Sequence, residues 1–304
     1  MDAVIPFVDY TDKVWMETYT SFMKSKFDDF NEKDIPYQQY SDHNTLKYVF
    51  RGIDKFMPYI NNVFLVVSNI EQVPDYIDQS KVKIVLHKDF IPKKYLPTFQ
   101  PNTIELCMYK IPGLDEEFVY FNDDTIPVSS IKSDEVFKDG LPCINFVEDK
   151  IIFERFVGTS FYEGKYTAQE LSGEEVKYDS DKILCPVHGP IPHIKSICLD
   201  AEKTKRFPEL LDFYISPIRS NRNINQYYWS SILYFLNKYI PSDIKVNYIT
   251  TQEIDELDIE DTKNNYQYLC INDFGSDKYT TEELDNIITE KLNTILPDKC
   301  KYEK

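Results

Sequence analysis

Apolar residues in this chain come in two rhythms. Continuous runs such as Val63-Phe64-Leu65-Val66-Val67, Phe118-Val119-Tyr120-Phe121 and Tyr268-Leu269-Cys270-Ile271 are short, β-branched or aromatic, and closed by polar residues, the pattern of strands buried on both faces. Ala3 to Val8, ending at Asp9, and Val82 to Leu86 read the same way. Elsewhere the apolar positions recur every three or four residues. Leu46, Val49, Phe50, Ile53 and Met57 predict a helix from about 43 to 56, capped by Asp42 and stopped before Pro58. Trp229, Ile232, Leu233, Phe235 and Leu236 predict another over 224–239, and Leu284, Ile287, Ile288, Leu292 and Ile295 a last one capped by Thr280 or Thr281. With Thr11-Asp12 as a further cap and a helix over 102–109, strands and helices alternate through residue 124. That alternation predicts an α/β fold, a layered and mostly parallel sheet with flanking helices.

The pattern weakens over 130–180, where acids, glycine and aromatics mix. The expected organisation is therefore a single catalytic domain over 1–304, with 130–180 as an insertion or lid. Residues 253–261 hold six acids interleaved with Ile254, Leu257 and Ile259, which reads as a solvated helix face or loop.

Charge narrows the partners. Lys+Arg 34 against Asp+Glu 51 gives a net charge of −17 over 304 residues, which opposes nonspecific binding to nucleic acid or anionic lipid. An anionic substrate must then meet a local cluster of cations. The six cysteines are scattered, the usage of a reducing compartment. The first ten residues carry two acids and no Lys or Arg, so no export signal is expected, nor is any apolar run long enough to span a membrane. The expected location is cytoplasmic.

Candidate chemistry lies where strands stop. Phe118 to Phe121 runs into Asn122-Asp123-Asp124, and Tyr268 to Ile271 into Asn272-Asp273. Ligands of open α/β sheets gather at the carboxyl ends of strands, and adjacent carboxylates call for a counter-charge, such as a divalent metal with a phosphate behind it. The plainer reading is an Asn-Asp turn. Arg51, off the stripe of its helix, is either solvated or a phosphate contact. His43 and His87 read as element-end histidines with local hydrogen bonds. Cys185, His188, His193 and Cys198 can be written as a Cys₂His₂ zinc set, but Pro186, Pro190 and Pro192 stiffen the segment and its spacing is unusual.

Residues 82–128, with Leu96-Pro97-Thr98-Phe99, Asn102, Ile104-Glu105, Ile111-Pro112-Gly113-Leu114 and Tyr120 to Asp124, resemble the second conserved region of the Stealth family of hexose-1-phosphate transferases. Met1 to Trp15 is similar to its first region, although Phe7 replaces the usual Trp and Tyr10 the usual Gly. His188-Gly189-Pro190-Ile191-Pro192 with Arg219 to Gln226 resembles the third, and Cys270 to Asp273 the fourth.

The resemblance implies a fold like that of nucleotide-diphospho-sugar transferases. It also implies transfer of a sugar-1-phosphate from a nucleotide sugar such as UDP-GlcNAc to a hydroxyl of a glycan or lipid-linked glycan, with release of UMP, in capsule or exopolysaccharide synthesis. Asp123, Asp124, His188, Arg219 and Asp273 are then the expected catalytic residues. Asp9, Arg51, Asn102, Asn122 and Asn272 are placed on the donor. Asp124 and Asp273 are placed on a divalent cation, Mg²⁺ or Mn²⁺. Association with a membrane glycan-synthesis complex at the inner face of the plasma membrane fits that role. Two other classes stand beside it: a metal-dependent glycosyltransferase, which releases a nucleoside diphosphate, and a sugar-nucleotide-binding protein without turnover.

Overall fold

The computed structural model describes residues 1–176, 184–219 and 224–304. In chain order, β1 (Asp2–Pro6) leads to α1 (Lys13–Lys26), α2 (Thr45–Phe56), β2 (Val63–Val67), β3 (Lys83–Leu86), α3 (Pro101–Cys107), β4 (Glu117–Tyr120) and β5 (Thr125–Pro127). Next come α4 (Ser133–Val136), β6 (Phe137–Lys138), β7 (Leu141–Ile144), β8 (Phe146–Glu148), α5 (Lys150–Ile152), a π-helical stretch Phe153–Val157 and α6 (Gly158–Ser172). The remainder comprises β9 (Leu184–Pro186), β10 (Ile191–Ile194), α7 (Lys195–Glu202), α8 (Arg206–Tyr214), α9 (Tyr227–Phe235), β11 (Ile240–Pro241), β12 (Val246–Thr250), α10 (Ile259–Asn265), β13 (Tyr268–Asn272) and α11 (Thr281–Asn293). The protein is α/β.

Contacts group the chain into two compact units. The first holds Met1–Val4, Lys88–Tyr120 and Lys132–Ile244; the second holds Ile5–His87, Phe121–Ile131 and Lys245–Lys304.

In the first unit, β4 pairs in parallel with the start of β1, Asp2 opposite Phe118, and antiparallel with β10, His193 opposite Phe118. Its core is aromatic. Tyr109 and Phe207 lie 5.4 and 5.5 Å from Trp229, centroid to centroid. α6 and α9 approach so closely at Gly164 that an added Cβ would sit 2.6 Å from Ser231 Cβ, so only glycine fits there. The segment expected as an insertion is part of this core: Phe153, Val157 and Phe161 are buried with Cys185, Ile191 and Tyr227. β8 pairs with β9, and β7 with β11. The sequence pattern missed this because strands of two to four residues carry too few positions to show a period.

In the second unit all five residues of β2 are buried, and β2 runs parallel to β3, Leu65 opposite Ile84. The chain leaves β1 alongside β2, where the Phe7 N–H donates to the Val66 carbonyl at 2.9 Å. α2 lies on β5 with Gly52 at the contact, where a Cβ would meet the Pro127 carbonyl at 2.5 Å. α11 begins with the expected cap: Thr280 and Glu283 form a capping box. The strands do not all join one layered sheet: β13 belongs to a separate three-stranded sheet, β12-β13-β5. β12 runs parallel to β13 and β5 antiparallel to it. The Thr125 N–H donates to the Asn122 carbonyl at 3.2 Å, and this turn at the end of β4 carries the chain into β5.

Candidate active site

In the second unit the polar groups at the ends of β1 and β2 are tied together. One Asp9 oxygen accepts from the Thr11 N–H at 2.8 Å and its hydroxyl at 2.7 Å, while the Asp9 carbonyl accepts from Gln72 Nε2 at 3.2 Å. Asp12 caps α1 through the Trp15 N–H at 2.7 Å and also accepts from Asn69 Nδ2 at 3.0 Å. The cap expected from Thr11-Asp12 is thus present, and it joins two strand ends.

A charged cluster stands at the start of α2. α2 starts two residues later than expected, with Asn44 rather than Asp42 at the N-cap position; Asp42 still accepts the Leu46 N–H, at 3.0 Å, from outside the helix. Burial, reinforced by the charges of Asp9 and Asp285 and opposed by that N–H, pushes its carboxyl up to about 6. His43 Nε2 lies 3.0 Å from Asp273 Oδ2, and Nδ1 lies 2.7 Å from Asp285 Oδ1. Burial disfavours the imidazolium, but the two carboxylates outweigh it and raise the histidine above its ordinary value. For Asp273, burial likewise opposes ionisation and is outweighed, first by His43 and then by the Gly275 N–H at 2.7 Å and the Thr251 hydroxyl at 3.1 Å. Its carboxyl is held below the usual range. His43 therefore has long-range partners rather than the local ones expected.

Asn122, Asp123 and Asp124 are half-buried in the turn between β4 and β5. The Asp124 carbonyl accepts the Ile271 N–H at 3.1 Å, so the acid pair lies against β13, whose end carries Asn272 and Asp273. Asp124 Oδ1 also accepts the Thr125 hydroxyl at 3.0 Å. Among the described residues no three His, Cys, Asp or Glu are grouped to hold a metal by themselves. Asp123 and Asp124 suit a cation that takes one or two carboxylates and completes its shell with substrate phosphate and water, the habit of Mg²⁺.

Arg51 is neither solvated nor a phosphate contact. It is buried in α2 and grips Glu303 with two nitrogens, at 2.7 and 2.9 Å, while Nη1 donates to the carbonyls of Leu296 and Pro297 at 2.9 and 3.3 Å. The guanidinium is committed to the carboxy-terminal segment, a partner that helix periodicity cannot reveal.

In the first unit Asn102 lies in the first turn of α3 and Arg219 is exposed. His188 is half-buried between β9 and β10, with Nδ1 2.8 Å from the Tyr227 hydroxyl. Glu105, quoted above only as part of the family region, was given no role. Its carboxylate accepts from the Tyr120 hydroxyl at 3.0 Å and the Gln226 N–H at 2.7 Å. Burial pushes it up to about 7, against the pull of these donors and of the Arg219 charge. The signal was an acid set inside an apolar run, between Ile104 and Leu106-Cys107-Met108. The zinc alternative finds no support: His193 is fully buried and stacked on Phe118, and Cys185 donates to the Asp149 carbonyl.

Residues 39–144 match the family model described as Stealth protein CR2, conserved region 2. The whole chain aligns with a receptor polysaccharide phosphotransferase WefC of Streptococcus gordonii, 30% identical over 98% of that protein. It also aligns with a capsular polysaccharide phosphotransferase WcwK of Streptococcus pneumoniae, 27% identical over 99%. Among solved structures, mouse xyloside xylosyltransferase 1 is similar at TM-score 0.44 and 10% identity, over 88% of this chain and 96% of that one. The chain is an α/β transferase. It belongs to the Stealth family.

Proposed function

We propose that this protein moves a sugar-1-phosphate, an N-acetylhexosamine-1-phosphate carried by a donor such as UDP-GlcNAc, to a glycan hydroxyl in capsule or exopolysaccharide synthesis. The observation that carries the reading is similarity along the whole chain to proteins named polysaccharide phosphotransferases. The acceptor oxygen attacks the sugar-bound phosphorus, the phosphoanhydride bond breaks, and UMP leaves with the electron pair. The anomeric C–O bond stays intact.

In this reading His188 takes the acceptor's proton, and Arg219 neutralises charge on the phosphoryl oxygens. Asp123 and Asp124 would hold a divalent cation, Mg²⁺ or Mn²⁺, which when bound offsets the charge of the diphosphate. Asp273 serves as an ionised carboxylate at the end of β13. Its Oδ1 already accepts two donors and its Oδ2 faces an imidazole, so we take it out of the metal set. Asp9, Asn102, Asn122 and Asn272 remain proposed contacts to the donor. The acceptor is a glycan or lipid-linked glycan met in the cytoplasm or at the inner face of the membrane. No helix among the described residues is long and apolar enough to cross a membrane.

The test is a screen of UDP- and GDP-sugars with short glycan acceptors, scoring the nucleotide released. Nucleoside monophosphate with a phosphodiester product supports the proposal; nucleoside diphosphate replaces it with glycosyl transfer. EDTA should abolish turnover and Mg²⁺ or Mn²⁺ restore it. His188→Ala should keep donor affinity and lose about 10²- to 10⁴-fold in kcat; activity within a few-fold of the parent would remove His188 as the base.

A further inference from the structure

His43 sits where the backbone is least at ease. It and Asn44 adopt left-handed conformations in succession, φ +47° and +59°, immediately before α2. Such values are uncommon for residues other than glycine, and strain of this kind persists where the surroundings impose it. What the strained turn achieves is the placement of one ring. The side chain is only 6% exposed, and its two nitrogens face carboxylates on two other elements, Asp273 at the end of β13 and Asp285 in α11. The separations in sequence are 230 and 242 residues.

With both acids ionised and the ring protonated, each nitrogen donates to the oxygen it faces and the ring joins both acids at once. The groups facing it are Asp273 from β13 and Asp285 from α11, with Asp42 beside it on its own segment. Asp273 Oδ1 is fixed by Thr251 and Gly275. Those two donors bind one oxygen and leave the carboxylate free to turn about it; His43 holds the other.

We propose that His43 is a positioning residue: anchored by Asp285, it fixes the plane of the Asp273 carboxylate in the orientation the transfer reaction uses. This rests on the phosphotransfer reading for its reaction, but not for its geometry.

The test uses the full chain. In a crystal structure of His43→Ala, the Asp273 carboxylate should rotate away from its parental plane; an unmoved carboxylate overturns the inference, whatever reaction the protein performs. In the transfer assay His43→Ala should lower kcat by about 10- to 100-fold per folded molecule, the scale on which a misplaced active-site group costs rate, with donor KM within a few-fold. His43→Asn or His43→Gln, which still donate from an amide, should regain about tenfold of it. A His43→Ala kcat within threefold of the parent, or amide variants no better than alanine, would overturn the proposal. Should His43→Ala fail to fold, Asp285→Asn decides: a clear fall in kcat at unchanged KM supports it, and parental kcat refutes it. Release of nucleoside diphosphate by the parent would instead defeat the phosphotransfer reading, and the same variants would be ranked on that activity.

Discussion

Asp273 in the second unit and Glu105 in the first are both withdrawn from bulk water, yet their surroundings push them in opposite directions. Asp273 has an imidazole, an amide and a hydroxyl trained on it and stays ionised. Glu105 has two donors and the Arg219 charge, but it lies among Tyr120, Gln226 and Trp229, and burial carries it up to about 7. The number of donors does not decide the state of a buried acid. What decides it is whether a compensating charge comes close enough to offset lost hydration. The contrast is local to the two acids, since each unit holds both ion pairs between separated elements and rings in close contact.

The chain has two tryptophans, Trp15 in the second unit and Trp229 in the first, so Trp15→Phe and Trp229→Phe backgrounds let each region be followed separately in urea. The largest effect should come from Arg51→Ala, which leaves the buried Glu303 carboxylate without its partner. Losing one member of a buried pair costs about 3 to 5 kcal/mol, and the Trp15 signal should report it. An equal shift in both signals would break the comparison, because it would make the two units one cooperative structure.

Gly164→Ala probes the other side. The added methyl meets the Ser231 Cβ and the Tyr228 carbonyl at 2.6 and 2.9 Å, so α6 and α9 must separate, at about 1 to 3 kcal/mol. Here the Trp229 signal should move. A parental midpoint would mean that the helix pair yields easily and that aromatic packing is less confining than described.

Glu105→Gln sharpens the contrast through pH. Its folded value, about 7, lies above the ordinary 4.5, so between those values the folded protein holds a proton that the unfolded chain has released. Stability attributable to this group therefore falls as pH rises from about 4.5 to 7, on the order of 1 to 3 kcal/mol in all. Glutamine imitates the protonated acid and should flatten that slope in urea titrations at several pH values. Asp273 has the opposite sign: its contribution is present above the ordinary carboxylate range and fades as pH falls through its lowered folded value. An unaltered slope in Glu105→Gln would show that Glu105 is ionised when folded.

Local pattern revealed much of this. The strand Val63–Val67, the runs that end at the Asn-Asp pairs, the Asp12 cap and the Thr280 capping box are written in residues a few positions apart, where neighbours alone settle the geometry. The partners of Arg51, His43 and Glu105 are not. Arg51 meets Glu303 across 252 residues, and the Glu105 carboxylate meets the Gln226 N–H across 121; no periodicity encodes such meetings. The separate sheet of β13 escaped for the same reason, since an apolar strand looks alike in whichever sheet it is paired.

β1 gives its first residues, through Val4, to one unit and its last to the other, and the chain passes between the units again after His87, Tyr120, Ile131 and Ile244. Neither unit is a length of polypeptide that can be excised. During synthesis the second unit must wait for β12 and β13, through Asn272, before its sheet of β12, β13 and β5 can close, although Ile5–His87 of the same unit are made long before. A gene fragment stopping at 244 would therefore encode every residue of one unit and leave the other without its last sixty. The messenger must be read into α11 before His43, Asp273 and Asp285 can meet, whereas every partner of Glu105 has been made by Trp229.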